Sequence, residues 1–123
     1  MTPKEWLERG FKLNGEIEQL KIAKDKAKEL SQDSGAQENE SYREYCRLLF
    51  RQIDRLLQIN KEVAEVISML DDSLLRTILT ARYINCSTWS TIAEDMDIDQ
   101  RWLYRLHKKA LDIVGAILIE NEK

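Results

Sequence analysis

The sequence predicts an all-α protein: a long N-terminal helical hairpin, then a three-helix unit that carries a helix-turn-helix. Three observations predict it. Only 4 Gly and 1 Pro interrupt 123 residues. Apolar residues recur three and four positions apart, the helical period, and do not alternate. Ser, Thr or Asp stands ahead of the apolar runs, where a side-chain oxygen satisfies N–H groups that a helix start leaves unpaired.

The first helix is expected from Pro3. Thr2 caps it, Pro3 suits the first helical position, and Glu5 completes a Thr-x-x-Glu capping box. Trp6, Leu13, Leu20 and Ala27 follow every seven residues, with Ile17 between them. The helix is expected to fade near Ser31. The polar stretch 32–40, with Gly35, is expected to be a loop or disordered linker.

A second capping box, Ser41-x-x-Glu44, opens the second helix. Tyr42, Cys46, Leu49, Ile53, Leu56, Val63, Ile67 and Leu70 then alternate by four and three, and Asn60 fills the missing place. Two arrangements fit. A single polar Asn on a heptad seam sets the register of a parallel two-stranded coiled coil. Phe50, Leu57, Ile59, Ala64 and Val66 widen the apolar face beyond such a seam, which favours a hairpin with the first helix. That hairpin could itself dimerise into a larger bundle. Arg43, Arg47, Arg51 and Arg55 form an i,i+4 stripe that reads as a solvated face beside Glu40, Glu44 and Asp54, with nucleic-acid contact as the alternative. Residues 1–70 are assigned to the hairpin and residues 71–123 to the helix-turn-helix unit.

Asp71-Asp72 caps a third helix, Ser73 to about Ile84, with Leu74, Leu75, Ile78, Leu79 and Tyr83 on its apolar side. Asn85-Cys86-Ser87 is a turn. Thr88 caps a fourth helix from Trp89 to about Met96, and Asp99 caps a fifth that runs to about Ile119.

Several function classes find no support. No run of about 18 apolar residues exists, and the N-terminus lacks the apolar stretch of a signal peptide. No membrane contact and a cytoplasmic location are expected. Cys46 and Cys86 are far apart and His107 is the single histidine, so no metal site is expected and each cysteine reads as a small hydrophobe in a reducing compartment. No glycine-rich phosphate loop or nucleophile–base pair is present, so neither enzymatic activity nor a cofactor is expected.

The net charge of −3 argues against nucleic acid, yet its distribution argues the other way. A helix-turn-helix needs two helices at a steep angle, a small residue where they cross, and a turn residue tolerant of positive φ. Residues 89–108 fit in order. Ile92 and Met96 face inward, Ala93 is small, Asp97 stands at the turn, Ile98 plugs it, and Leu103 and Leu106 anchor the second helix. No acid occurs from Gln100 through Leu111, while Arg101, Arg105, Lys108 and Lys109 all do. Gln100, Arg101, Trp102 and Arg105 are the candidate base contacts, because Arg and Gln pair with guanine and adenine edges. Thr88, Lys108 and Lys109 are the candidate phosphate contacts. Trp102 has two readings: contact with DNA sugars or a thymine methyl, or packing against a neighbouring helix or subunit.

Leu79-x-x-Arg82-Tyr83-Ile84, then Thr88 to Ala93, then Ile98-Asp99, Leu103, Leu106-His107 and Ala110-Leu111 resemble region 4 of bacterial sigma factors. The resemblance implies promoter recognition by the second helix and places the family's DNA contacts on Gln100, Arg101, Trp102 and Arg105. Trp102 stands where an Arg is common and Arg101 where a Glu is common, so the promoter sequence does not carry over. The whole chain also resembles small phage and prophage transcriptional regulators of low-GC Gram-positive bacteria, which begin like Met1-Thr2-x-Lys4-Glu5-Trp6-Leu7. Nothing resembles sigma region 2, which melts promoters. The partners this implies are double-stranded DNA, RNA polymerase and a second copy of the chain. The hairpin and the apolar tail 113–119 are the candidate dimer surfaces, with burial of the tail in its own chain as the alternative. Two other functions remain open: a protein-binding module that contacts polymerase or a regulator, and a phage DNA-packaging subunit.

Overall fold

The computed structural model describes residues 1–33 and 40–122. Among these, all regular structure is helical: α1 (Pro3–Leu7), α2 (Arg9–Asp33), α3 (Glu40–Ile67), α4 (Ser73–Leu79) continued by a π-helical segment (Thr80–Ile84), α5 (Trp89–Met96) and α6 (Gln100–Asn121). Most of the expected linker, residues 34–39, lies outside the described residues. No described helix is long and apolar enough to cross a membrane.

Four of the five expected caps are in place. Thr2 and Glu5 form the capping box of α1. Asp72 accepts from Leu74 N–H at 2.8 Å and heads α4. Thr88 accepts from Thr91 N–H and heads α5, and Asp99 accepts from Arg101 N–H and heads α6. α3 begins at Glu40, one residue ahead of the expected Ser41 cap.

The first helix departs from its expected course. It breaks at Glu8 (φ −77°, ψ −2°), giving α1 and α2 where the sequence suggested one helix. Arg9 secures the corner. Its Nε donates to Trp6 O at 2.9 Å, its guanidinium lies 4.4 Å from the Trp6 ring centroid, and it pairs with Glu62 at 2.9 Å. The carbonyl released by the break is thereby satisfied.

Contacts gather the described chain into two compact units, residues 1–11 with 59–123, and residues 12–58, rather than parting it once at residue 70. The first unit has the larger core: Leu7, Val63, Leu70, Leu75, Ile78, Leu79, Tyr83, Ile92, Leu103, Ala110 and Val114 are all buried there. Each fully buried aliphatic side chain contributes about 1.5–3 kcal/mol. α1 packs on α6. A Cβ on Gly115 would lie 3.1 Å from Pro3 Cγ, so the glycine admits this approach. Val114 is buried, and Ile113, Ile117 and Leu118 pack half-buried on the core, so most of the apolar tail is covered by its own chain.

The second unit is formed by α2 from Lys12 and α3 to Gln58. It buries Leu13, Ile17 and Ala27 of α2 and Leu49 of α3. Gln52 Nε2 donates to Glu16 Oε2 at 3.5 Å between the two helices. Of the arginine stripe, Arg47 pairs with Glu44 at 3.3 Å, and Arg51 and Arg55 are exposed.

Candidate nucleic-acid interface

Two positions of positive φ shape this region, and both end helices. Asp97 (φ 54°, ψ 49°) ends α5 in the left-handed conformation. Ile98 N–H then donates to Ala93 O at 3.0 Å and Asp97 N–H to Glu94 O at 3.2 Å, the paired bonds of a Schellman motif. Ile98 packs against the core beside the buried Ala93. The chain turns within three residues and enters α6 at Gln100. Upstream, Cys86 (φ 57°) ends the π-helical segment, and Ser87 N–H donates to Ala81 O at 2.9 Å.

α6 is anchored along one side by Leu103, Leu106, His107, Ala110 and Val114, all buried. His107 carries the aromatic part of this anchorage. The Tyr83 hydroxyl and His107 Nε2 share a hydrogen bond of 2.6 Å, and the Trp89 ring meets the imidazole at 4.5 Å between centroids. Burial pushes His107 down from its ordinary value near 6.5 to about 4, with the Lys4 and Arg82 cations adding to the effect. The imidazole is therefore neutral at pH 7. Burial also raises the Tyr83 phenol to about 12, helped by Glu8 and opposed by Arg82. The Arg82 guanidinium lies 4.7 Å from the Trp89 ring centroid and 5.1 Å from that of Phe11, and its Nη1 donates to Ser87 O at 3.0 Å. Arg82 therefore ties the loop ahead of α5 to two aromatic rings, contacts worth about 0.5–2 kcal/mol each.

The opposite side of α6 is open. Gln100, Arg101, Trp102, Arg105, Lys108 and Lys109 are all exposed. At 3.6 residues per turn, Arg101, Arg105 and Lys108 occupy the middle of this face, with Trp102 and Lys109 along one border. Among the described residues none of the four cations is in an ion pair. Gln100 Nε2 donates to Ser90 Oγ at 3.1 Å, so this side chain also links α6 to α5. Thr88 lies at the head of α5, where its hydroxyl accepts from Thr91 N–H and pairs with Thr91 Oγ1 at 2.9 Å. Trp102 is 49% exposed.

Tyr104 belongs to the same face and was not singled out from the sequence. It is exposed, borders Arg101 and Lys108, and its ring meets Trp89 edge-on at 5.7 Å. The signal was its position, three after Arg101 and four before Lys108. The acids Glu94, Asp95, Asp97 and Asp99, all exposed, lie just ahead of α6. Among the described residues no cluster of His, Cys, Asp and Glu could hold a metal ion. The chain matches no protein-family model, no curated protein and no solved structure.

Proposed function

We propose that this protein binds double-stranded DNA through the exposed face of α6, as a helix-turn-helix of the sigma-region-4 kind, and regulates transcription of phage genes. One observation carries the reading: four unpaired cations share the face of α6 that lies opposite its buried anchors, in a chain of net charge −3. In this reading Gln100, Arg101, Trp102 and Arg105 read base edges, and Thr88, Lys108 and Lys109 hold phosphates. Thr88 would contribute through the N–H groups at the head of α5, since its hydroxyl is occupied by the cap.

Selection from a random double-stranded library, followed by binding titrations on the enriched sequence, tests this. The four α6 cations, neutralising about four phosphates between them, give a log–log salt slope of about −3.6. Arg101→Ala and Arg105→Ala each weaken specific binding by about 1–3 kcal/mol and relax specificity locally, without lowering the unfolding midpoint. Absence of binding at low salt, alone and with RNA polymerase, rejects the proposal.

A second reading rests on the acids at 94, 95, 97 and 99. They repel phosphate and suit a basic protein surface, so this unit could dock on polymerase or a regulator without reading DNA itself. Binding to polymerase that survives Arg101→Ala and Arg105→Ala but fails on Glu94→Lys favours that reading.

A further inference from the structure

We propose that an uncovered apolar stripe on α3 seats a second copy of this chain, with the two α3 helices antiparallel. The stripe is Cys46, Phe50, Ile53 and Leu57, spaced by four, three and four, which makes one seam along a helix. Phe50 is 79% exposed and Leu57 62%; Ile53 is exposed and Cys46 half-buried. The stripe lies beside the inner face of Tyr45, Leu49, Gln52 and Leu56, which the residue 12–58 unit buries or half-buries. The apolar arc of α3 is thus wider than its own unit covers, and large open side chains on adjoining turns mark a contact surface.

Charge selects both the occupant and its direction. Arg47 and Asp54, seven residues apart, border the stripe on its solvent edge, while Leu49 and Leu56 border it on the covered edge. In a parallel pair, opposite edges meet, and the charges would lie over the partner's apolar border. In an antiparallel pair, like edges meet. With Phe50 against the partner's Ile53 and Cys46 against the partner's Leu57, Arg47 reaches the partner's Asp54, and two-fold symmetry repeats the pair. Among the described residues Asp54 is in no ion pair, and the exposed Arg47–Glu44 contact is weak enough to exchange. The seam is about 17 Å long. Its four residues per chain are far fewer than the roughly 20–30 a side of a standard interface, so the association is reversible. This inference does not depend on DNA binding.

Sedimentation of the full chain over a concentration series is the test. The mass should climb from 14.5 kDa toward twice that value. Phe50→Glu and Leu57→Glu should hold it at the monomer, with helicity and unfolding midpoint in dilute solution unchanged. Arg47→Asp and Asp54→Arg should each weaken association about tenfold, and their combination should restore it. In Leu57→Cys, mild oxidation by oxidised glutathione should join position 46 to position 57 between chains. A monomer at every concentration overturns the proposal. Failure of the charge exchange to restore association, or 46–46 and 57–57 bridges instead, overturns the antiparallel arrangement.

Discussion

α6 and α3 are both long amphipathic helices with cations along them, yet the protein treats them differently. In α6 the apolar side is covered and the cations of the other side stand unpaired. In α3 the apolar arc overflows its cover, and Arg47 is engaged by Glu44. Periodicity identifies which residues favour burial; whether the chain supplies the cover depends on what packs there. The sharpest way to break the comparison is one substitution made twice. Leu103→Ala removes a side chain with no exposure, and should cost about 2–5 kcal/mol in urea or thermal unfolding. Leu57→Ala, at 62% exposure, should shift the dilute-solution midpoint by less than about 0.5 kcal/mol. Equal losses would mean that the stripe is covered within the monomer.

The next effect is acid sensitivity of the α6 anchor. His107 takes up a proton near pH 6.5 when unfolded and near 4 when folded. Between those values the unfolded chain binds more protons, so stability is complete above about 6.5 and falls as pH drops toward 4. The full shift is worth about 3 kcal/mol. The ring sits at the edge of the core with 9% exposure, and residual hydration reduces the expected loss to about 2 kcal/mol. Urea titrations from pH 7 to 4 should show this slope, and His107→Gln should remove most of it. Tyr83→Phe deletes the hydrogen-bond partner of Nε2 and should cost about 1–3 kcal/mol at pH 7. A flat profile from pH 6.5 to 4 would mean that the imidazole is solvated and α6 rests on its aliphatic anchors alone.

Much of this was legible locally. Capping side chains and three-and-four spacing depend on residues within one turn, and so Thr2, Asp72, Thr88, Asp99 and the left-handed Asp97 were all identifiable from sequence. The exposed cationic face followed from spacing as well. What stayed hidden is non-local. The break at Glu8 lies in a strongly helical stretch, and its support comes from Arg9 reaching back to Trp6 and across to Glu62, fifty-three positions away. The contact of Arg82 with Phe11, seventy-one positions away, is non-local as well. Tyr104 was overlooked because its type, unlike its position, does not announce a polar face.

The smallest expected effect concerns the turn itself, and it separates strain from charge. Asp97 holds a conformation that costs an L-residue up to about 1–2 kcal/mol, less for Asp, whose short side chain makes local hydrogen bonds. Asp97→Gly removes the Cβ penalty but gives the unfolded chain more freedom, so the net gain should be no more than about 1 kcal/mol. Asp97→Asn tolerates the same backbone and removes only the charge. If strain limits the turn, Gly raises the urea midpoint and Asn leaves it nearly unchanged. If repulsion between the acids at 94, 95, 97 and 99 limits it, both raise it, and salt abolishes the gain. If α6 binds DNA as proposed, affinity should follow charge alone: Gly and Asn should strengthen low-salt binding equally, since each removes one anion beside the cations of α6. Unequal strengthening would show that the turn, and not its charge, sets how α6 meets its target.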